Sequence, residues 1–239
     1  MTTTANQAMS IEDIDRAIAE LQARREQLMA LENQQSNDPI TPKTQHIVVI
    51  GGKGQLGSLF VRLFDESGYE VTIIDKDDWV EKAAVFQIAD LVLIAVPIHQ
   101  TLDVIASLPE LPNSCILADI TSVKQKPVKA MLDKHTGPVM GLHPMFGPGV
   151  ETLRGQTIIT SPGRAHSQTE WLIDQLNDWG GKTFQISASE HDDAMALIQV
   201  MRHFSTVAYG NHLMAEDADL GQITELSSPI YRLELAMVG

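Results

Sequence analysis

His46-Ile-Val-Val-Ile50 runs directly into Gly51-Gly-Lys-Gly-Gln-Leu-Gly57. A short, nearly all-apolar run of this kind fits a parallel strand buried on both faces. Gly52, Gly54 and Gly57 have the G-x-G-x-x-G spacing, with Gln55 and Leu56 inside it. Leu56, Leu59, Phe60, Leu63 and Phe64 then recur at helical spacing, Gly68 closes that segment, and Tyr69–Ile74 reads as a second strand ending at Asp75. Strand, glycine turn, helix and a strand tipped by a carboxylate together predict dinucleotide binding, which the glycine triplet alone does not. Gly52 makes the tight turn, Gly54 lets a pyrophosphate approach the backbone, and Gly57 lets the helix pack close to the sheet. The phosphate charge sits on the helix N-terminus. Asp75 lies 18 residues past Gly57, where a carboxylate takes the ribose hydroxyls. It favours NAD over a 2'-phosphate, while Lys76 leaves room for NADP. No Gly-Lys-Ser/Thr follows the turn, so this is not a Walker A loop, and Lys53 is expected to face solvent.

Further along, Ala89–Val96 is another apolar strand, stopped by Pro97. Val96 and Pro97 fall at its C-terminal end, which in an open α/β sheet lines the ligand crevice. His99 follows, either near the cofactor or as a surface residue. Cys115–Ala118 is a further strand, ending in Asp119-Ile-Thr-Ser-Val-Lys124. Ser122 and Lys124 are therefore candidates for substrate or cofactor contact, and Cys115 reads as core. Gly137–Pro148 holds His143 between a short strand and a turn rich in Pro and Gly. A stiff backbone there suits a general base, whose ordinary pKa lies near neutrality. Gln156–Thr160 and Thr183–Ile186 read as strands, and Thr169–Trp179 as a helix with Trp171, Leu172, Ile173, Leu176 and Trp179 largely facing the core.

From Ser189 the pattern is helical, with Ala194, Leu197, Ile198, Met201 and Val207 in an apolar stripe. His191 and His203 lie twelve residues apart, too far along a helix to share one metal, and no H-E-x-x-H pair exists. A metal is not expected. Arg202, His203 and Arg232 are candidate anion contacts. Ser227-Ser228-Pro229 starts a last short helix ending at Gly239. At the other end, Ser10 caps a helix carrying Ile11, Ile14, Ile18, Leu21, Leu28 and Leu31, followed by a linker to Thr44. The expected class is α/β: one short N-terminal helix and linker (1–44), a Rossmann-like, mostly parallel sheet domain (45–188), and an incomplete all-helical domain (189–239).

The 239 residues are 44% hydrophobic and 20% charged, with one cysteine and a formal net charge of -14. Such a chain folds without disulfides. Its acidity argues against nucleic acid and anionic membrane surfaces as partners. It leaves room for an anionic small substrate held by a few placed cations. The first residues lack the order of a secretory signal and no apolar run reaches 18 residues, so cytosol is the expected location.

The stretches VVIGGKGQLG, ADLVLIAVPIH, CILADITSVK, GLHPMFGP, SEHDDAMALIQVMRHFSTVAYGNHL and SSPIYRLELAMVG, from about His46 to Gly239, resemble one family. It is the prephenate dehydrogenase portion of the bacterial bifunctional chorismate mutase/prephenate dehydrogenases. The resemblance implies NAD-dependent oxidative decarboxylation of prephenate to 4-hydroxyphenylpyruvate, in a dimer. By the same resemblance, His143 deprotonates the ring hydroxyl, Ser122 lies near that hydroxyl and the nicotinamide, His191 supports the arrangement, and His203 is associated with recognition of tyrosine as an inhibitor. IEDIDRAIAELQARREQLM resembles a shortened first mutase helix, with Arg25 at one of its arginines. The other mutase helices have no counterpart, so chorismate mutase activity is not expected. In the family the arginine that binds the ring carboxylate follows the AMVG segment, which ends this sequence. Prephenate turnover is therefore expected to be weak or nil. A regulatory NAD-binding protein and an arogenate dehydrogenase are the alternatives.

Overall fold

A computed structural model describes residues 43–75, 78, 79 and 83–235, with Glu20 and residues 22–24. The expected N-terminal helix (apart from those four positions, which are helical), Arg25, the linker before Lys43, Lys76 and the AMVG stretch lie outside the described residues. The chain from Lys43 onward forms one compact unit.

Seven strands make one sheet: β1 (His46–Ile50), β2 (Glu70–Ile74), β3 (Leu91–Ile94), β4 (Ile116–Asp119), β5 (Val139–Pro144), β6 (Thr157–Arg164) and β7 (Lys182–Gln185), in the order β2-β1-β3-β4-β5-β6-β7. The first five are parallel, β6 runs antiparallel to β5, and β7 parallel to β6. Every residue of β1, β3, β4 and β5 is buried, which is why these segments lack polar alternation.

Helices cover both faces: α1 (Gln55–Glu66), α2 (Ile98–Ser107), α3 (Gln125–Lys134) and α4 (Glu170–Asp178). Leu59, Phe60, Leu63 and Phe64 of α1 meet β1, β3 and β4 on one face, where Leu172 and Leu176 of α4 also pack. Phe64 stands edge-on to Tyr69 and Trp179, with ring centroids 5.3 and 4.8 Å away. The opposite face collects Phe86, Ile105, Met131 and Cys115. Cys115 is buried and burial pushes its thiol up to about 12, which suits core and not chemistry.

From Ala188 on the described chain is helical: α5 (Ala188–Met195), a π-turn (Ala196–Val200), α6 (Met201–Ala215), α7 (Leu220–Leu226) and α8 (Pro229–Leu235). Ser187 starts α5 in a capping box with Glu190: its hydroxyl accepts the Glu190 N–H, and the Glu190 carboxylate accepts the Ser187 N–H. Leu197, Ile198, Met201 and Val207 form the apolar stripe but are exposed, as are Phe204, Met214 and Leu226. Among the described residues no helix is long and apolar enough to cross a membrane.

Candidate active site

The strand ends decide which groups can meet. In a parallel sheet all C-terminal ends point one way, so the turn after β1, Asp75 after β2, Val96 and Pro97 after β3 and Ser122 after β4 share one edge. The glycine turn is tight. A Cβ on Gly57 would sit 2.3 Å from the Gly51 carbonyl oxygen, a contact that no side chain can make. Gly54 precedes α1 and no side chain caps that helix, which leaves Gln55, Leu56 and Gly57 at an open, electropositive N-terminus. Lys53 is exposed, with its ammonium 3.6 Å from Asp78. His99 is also exposed, beside Gln100.

His143 sits near the end of β5 and is buried, 3% exposed. Its Nδ1 lies 2.7 Å from Nε2 of His191, which is fully buried on α5. Nδ1 of His191 lies 2.8 Å from Oδ1 of Asp192. The far side of His143, Nε2, is 3.2 Å from the Gln199 amide nitrogen. Asp192 also reaches the start of α3, accepting the Lys124 N–H at 2.7 Å and the Gln125 N–H at 3.0 Å. One carboxylate thus satisfies two of the helix's orphan donors and holds a histidine. Burial pushes that carboxyl up, but the hydrogen bonds from His191, Gln125 and Lys124 outweigh it and the net shift is downward.

Lys124, named above as a candidate for substrate or cofactor contact, does not face the crevice. It is completely buried. Its ammonium lies 2.5 Å from Asp119 Oδ2 and donates to the Leu142 carbonyl at 2.7 Å. Gly141 makes room for the stem: a Cβ there would lie 2.9 Å from Lys124 Cδ. Lys124 therefore props the residue just before His143. Desolvation pulls its pKa down, against the opposing charge of Asp119.

A cleft of about 590 Å³ opens beside His143. It brings together Ser122, His143 and His203, which the sequence separates widely, and adds Gln199, Arg202 and Ile198. The π-turn supplies two of these. One extra residue per turn re-aims the side chains that follow, a frequent device at functional sites. Phe146 and Met145 give the cleft an apolar wall. Sequence reasoning missed Asp192 and Gln199. Asp192 adjoins the singled-out His191, and that adjacency was the available signal. Arg232 lies elsewhere, donating from Nε to the Thr224 carbonyl.

Burial, then the neighbouring charges of His191 and Lys124, pull the His143 pKa from 6.5 to about 4, against a smaller upward pull from Asp192. A depressed histidine is neutral in the folded state where the unfolded chain is already protonated. Its contribution to stability is thus present above pH 6.5 and lost as pH falls toward about 4. At about 1.4 kcal/mol per unit, the full effect is about 3 kcal/mol. The midpoint of urea unfolding is expected to fall over this window, and to fall less in H143N.

An open parallel sheet with a glycine turn at its C-terminal edge and a histidine-bearing cleft beside it defines a Rossmann-type nucleotide-binding protein. The sequence family described as "Prephenate dehydrogenase, nucleotide-binding domain" matches residues 65–184, half of the chain, and the chain belongs to that family. It is 49% identical over 208 residues to a T-protein of Enterobacter agglomerans, covering 87% of this chain and 56% of that protein. With a T-protein of Haemophilus influenzae it shares 46% identity over 211 residues, again covering 88% of this chain and 56% of the relative. The chain thus spans little more than half the length of the curated relatives it matches. The fold is similar to that of prephenate dehydrogenase from A. aeolicus, with a TM-score of 0.63 at 17% identity over 83% of this chain and 85% of that one.

Proposed function

We propose that the chain catalyses the NAD-dependent oxidative decarboxylation of prephenate to 4-hydroxyphenylpyruvate, a step toward tyrosine. The observation that carries this is the hydrogen-bond chain from Asp192 through His191 to His143, which leaves Nε2 of His143 as an acceptor at the cleft. The T-protein relatives support the reading, as does the A. aeolicus structure, which holds NAD+ and hydroxyphenyl propionate.

The cofactor would be held by Gly52, Gly54, Gln55, Leu56 and Gly57 through backbone N–H groups, by Asp75 at the ribose, and by Val96 and Pro97 alongside. When bound, NAD supplies the hydride acceptor. His143 Nε2 takes the proton of the ring hydroxyl, with Ser122 near that oxygen. Loss of the proton builds carbonyl character on the carbon that bore the hydroxyl, as the hydride of that same carbon would pass to the bound cofactor. That carbonyl draws in the electron pair of the breaking bond to the carboxylate, carbon dioxide leaves, and the ring becomes aromatic. The cleft's apolar wall suits the ring, and Arg202 brings positive charge to meet an anionic substrate. The proposal extends to a cytoplasmic homodimer in which His203 recognises tyrosine as an inhibitor.

The test is NADH formation by the purified chain with prephenate and, separately, arogenate. Slow prephenate-dependent formation of NADH and 4-hydroxyphenylpyruvate is expected; turnover of arogenate alone would replace the substrate, and turnover of neither would sink the reading. For the cofactor, G57A is expected to weaken NADH binding by at least about 100-fold, because the added methyl opens the turn that must meet the pyrophosphate. A fluorescence titration reads it directly.

A further inference from the structure

We propose that Asp192 is a positioning residue that sets the tautomer of His143 and that the abstracted proton's charge comes to rest on His191, not on His143. The step as catalysis rests on the dehydrogenase reading above, but the tautomers do not.

The argument is one of donors and acceptors. The Asp192 carboxylate accepts only, so the His191 nitrogen 2.8 Å away, Nδ1, carries a proton. A neutral His191 then has a bare Nε2. The His143 nitrogen 2.7 Å from it, Nδ1, must donate, and His143 is left with a bare Nε2. With the lone pair on Nε2, the Gln199 amide nitrogen 3.2 Å away is placed to donate to it until a substrate hydroxyl takes its place. Reversing any one bond would set two donors or two acceptors face to face.

The same chain disposes of the proton. As a substrate hydroxyl gives its proton to His143 Nε2, His143 passes its Nδ1 proton to His191 Nε2. His143 ends neutral with its proton on the cleft side. His191 ends as an imidazolium, protonated on both nitrogens and bonded to the Asp192 carboxylate. No proton or electron is gained or lost. The surrounding charges favour this placement. Buried Lys124, just before α3, opposes a cation on His143. Arg202 and His203, from α6, line the same cleft. Asp192 faces His191 directly, and the Lys124 and Gln125 N–H groups keep it ionised. Asp119, the other nearby carboxylate, is engaged by Lys124 and Thr121.

Nitrogen-15 NMR of histidine-labelled wild-type chain at pH 7.5, with no ligand, is the first test. His143 and His191 are each expected to be neutral with the proton on Nδ1. A His143 protonated on Nε2 overturns the proposal whatever the enzyme does. The second test is D192N, which keeps the shape and removes the charge. Its kcat with prephenate is expected to fall about 100-fold, with KM and NADH affinity within threefold, the latter showing an intact fold. An unchanged kcat overturns the relay. Correct tautomers in a wild-type chain that oxidises neither prephenate nor arogenate would support the hydrogen-bond assignment and instead remove the functional reading.

Discussion

Replacing His143 with asparagine is expected to lower kcat for prephenate oxidation by about 10²–10⁴-fold, the range that a positioned general base contributes. Asparagine lacks the ring's Cε1 and Nε2. Its amide nitrogen takes the place of Nδ1 and still donates to His191, but no atom reaches the place of Nε2, so a substrate hydroxyl finds no base there. KM should therefore change little while kcat collapses, the signature of an interaction made only in the transition state. NADH affinity should be unchanged, because the glycine turn and Asp75 lie on strands other than β5. His203 lines the same cleft and is the one rival base the geometry offers among the described residues. A variant that kept kcat within threefold would move the role there.

The parts of this molecule legible in its sequence are those where one local pattern has one cause. β1, β3 and β4 are buried on both faces, and a run without polar residues reports that directly. The glycine turn is legible because closing it needs the absence of a Cβ at Gly57. Ser187-Ala-Ser-Glu190 forms a capping box, and the helix starts at Ala188, one residue before the expected Ser189. What stayed hidden depends on long separations. His143 meets His191 across 48 residues, and Lys124 meets the Leu142 carbonyl across 18. Spacing along one element carries no information about such meetings.

Asp192 shows the difficulty most sharply. It stands in Ser-Glu-His-Asp-Asp, where Glu190, Asp192 and Asp193 look alike as helix-surface acids. Only the approach of α3 to α5 makes one of them a cap, an orienting group and a counter-charge. Lys124 illustrates a related point. A lysine at the C-terminal edge of a sheet is expected to reach for an anion, and its anion turned out to be Asp119, five residues back. In the helical region the apolar residues recur at helical spacing. A pattern states that a face is apolar, not what covers it, and Leu197, Met201 and Val207 are exposed among the described residues.

The buried pair also sets the second large effect. Lys124→Met is expected to destabilise the chain by about 3–5 kcal/mol, the cost of leaving one half of a buried ion pair uncompensated. Methionine fills the space of the stem, so the loss is electrostatic and not a cavity. Asp119 would keep its bonds from the Thr121 N–H and hydroxyl. Its other oxygen, Oδ1, has no hydrogen-bond partner already, and the side chain is fully buried. The carboxyl would then have to protonate or admit water. For a chain of this size the midpoint of thermal unfolding should fall by about 10 °C. The double variant D119L/K124M separates charge from shape. With no ion left to desolvate, it should recover most of the stability, as replacement of buried pairs by apolar residues commonly does. It should not recover full turnover. The Leu142 carbonyl loses its donor in both variants, and the strand end that carries His143 loses the strut beneath it. Equal stability in wild type and K124M would mean that the pair contributes position alone.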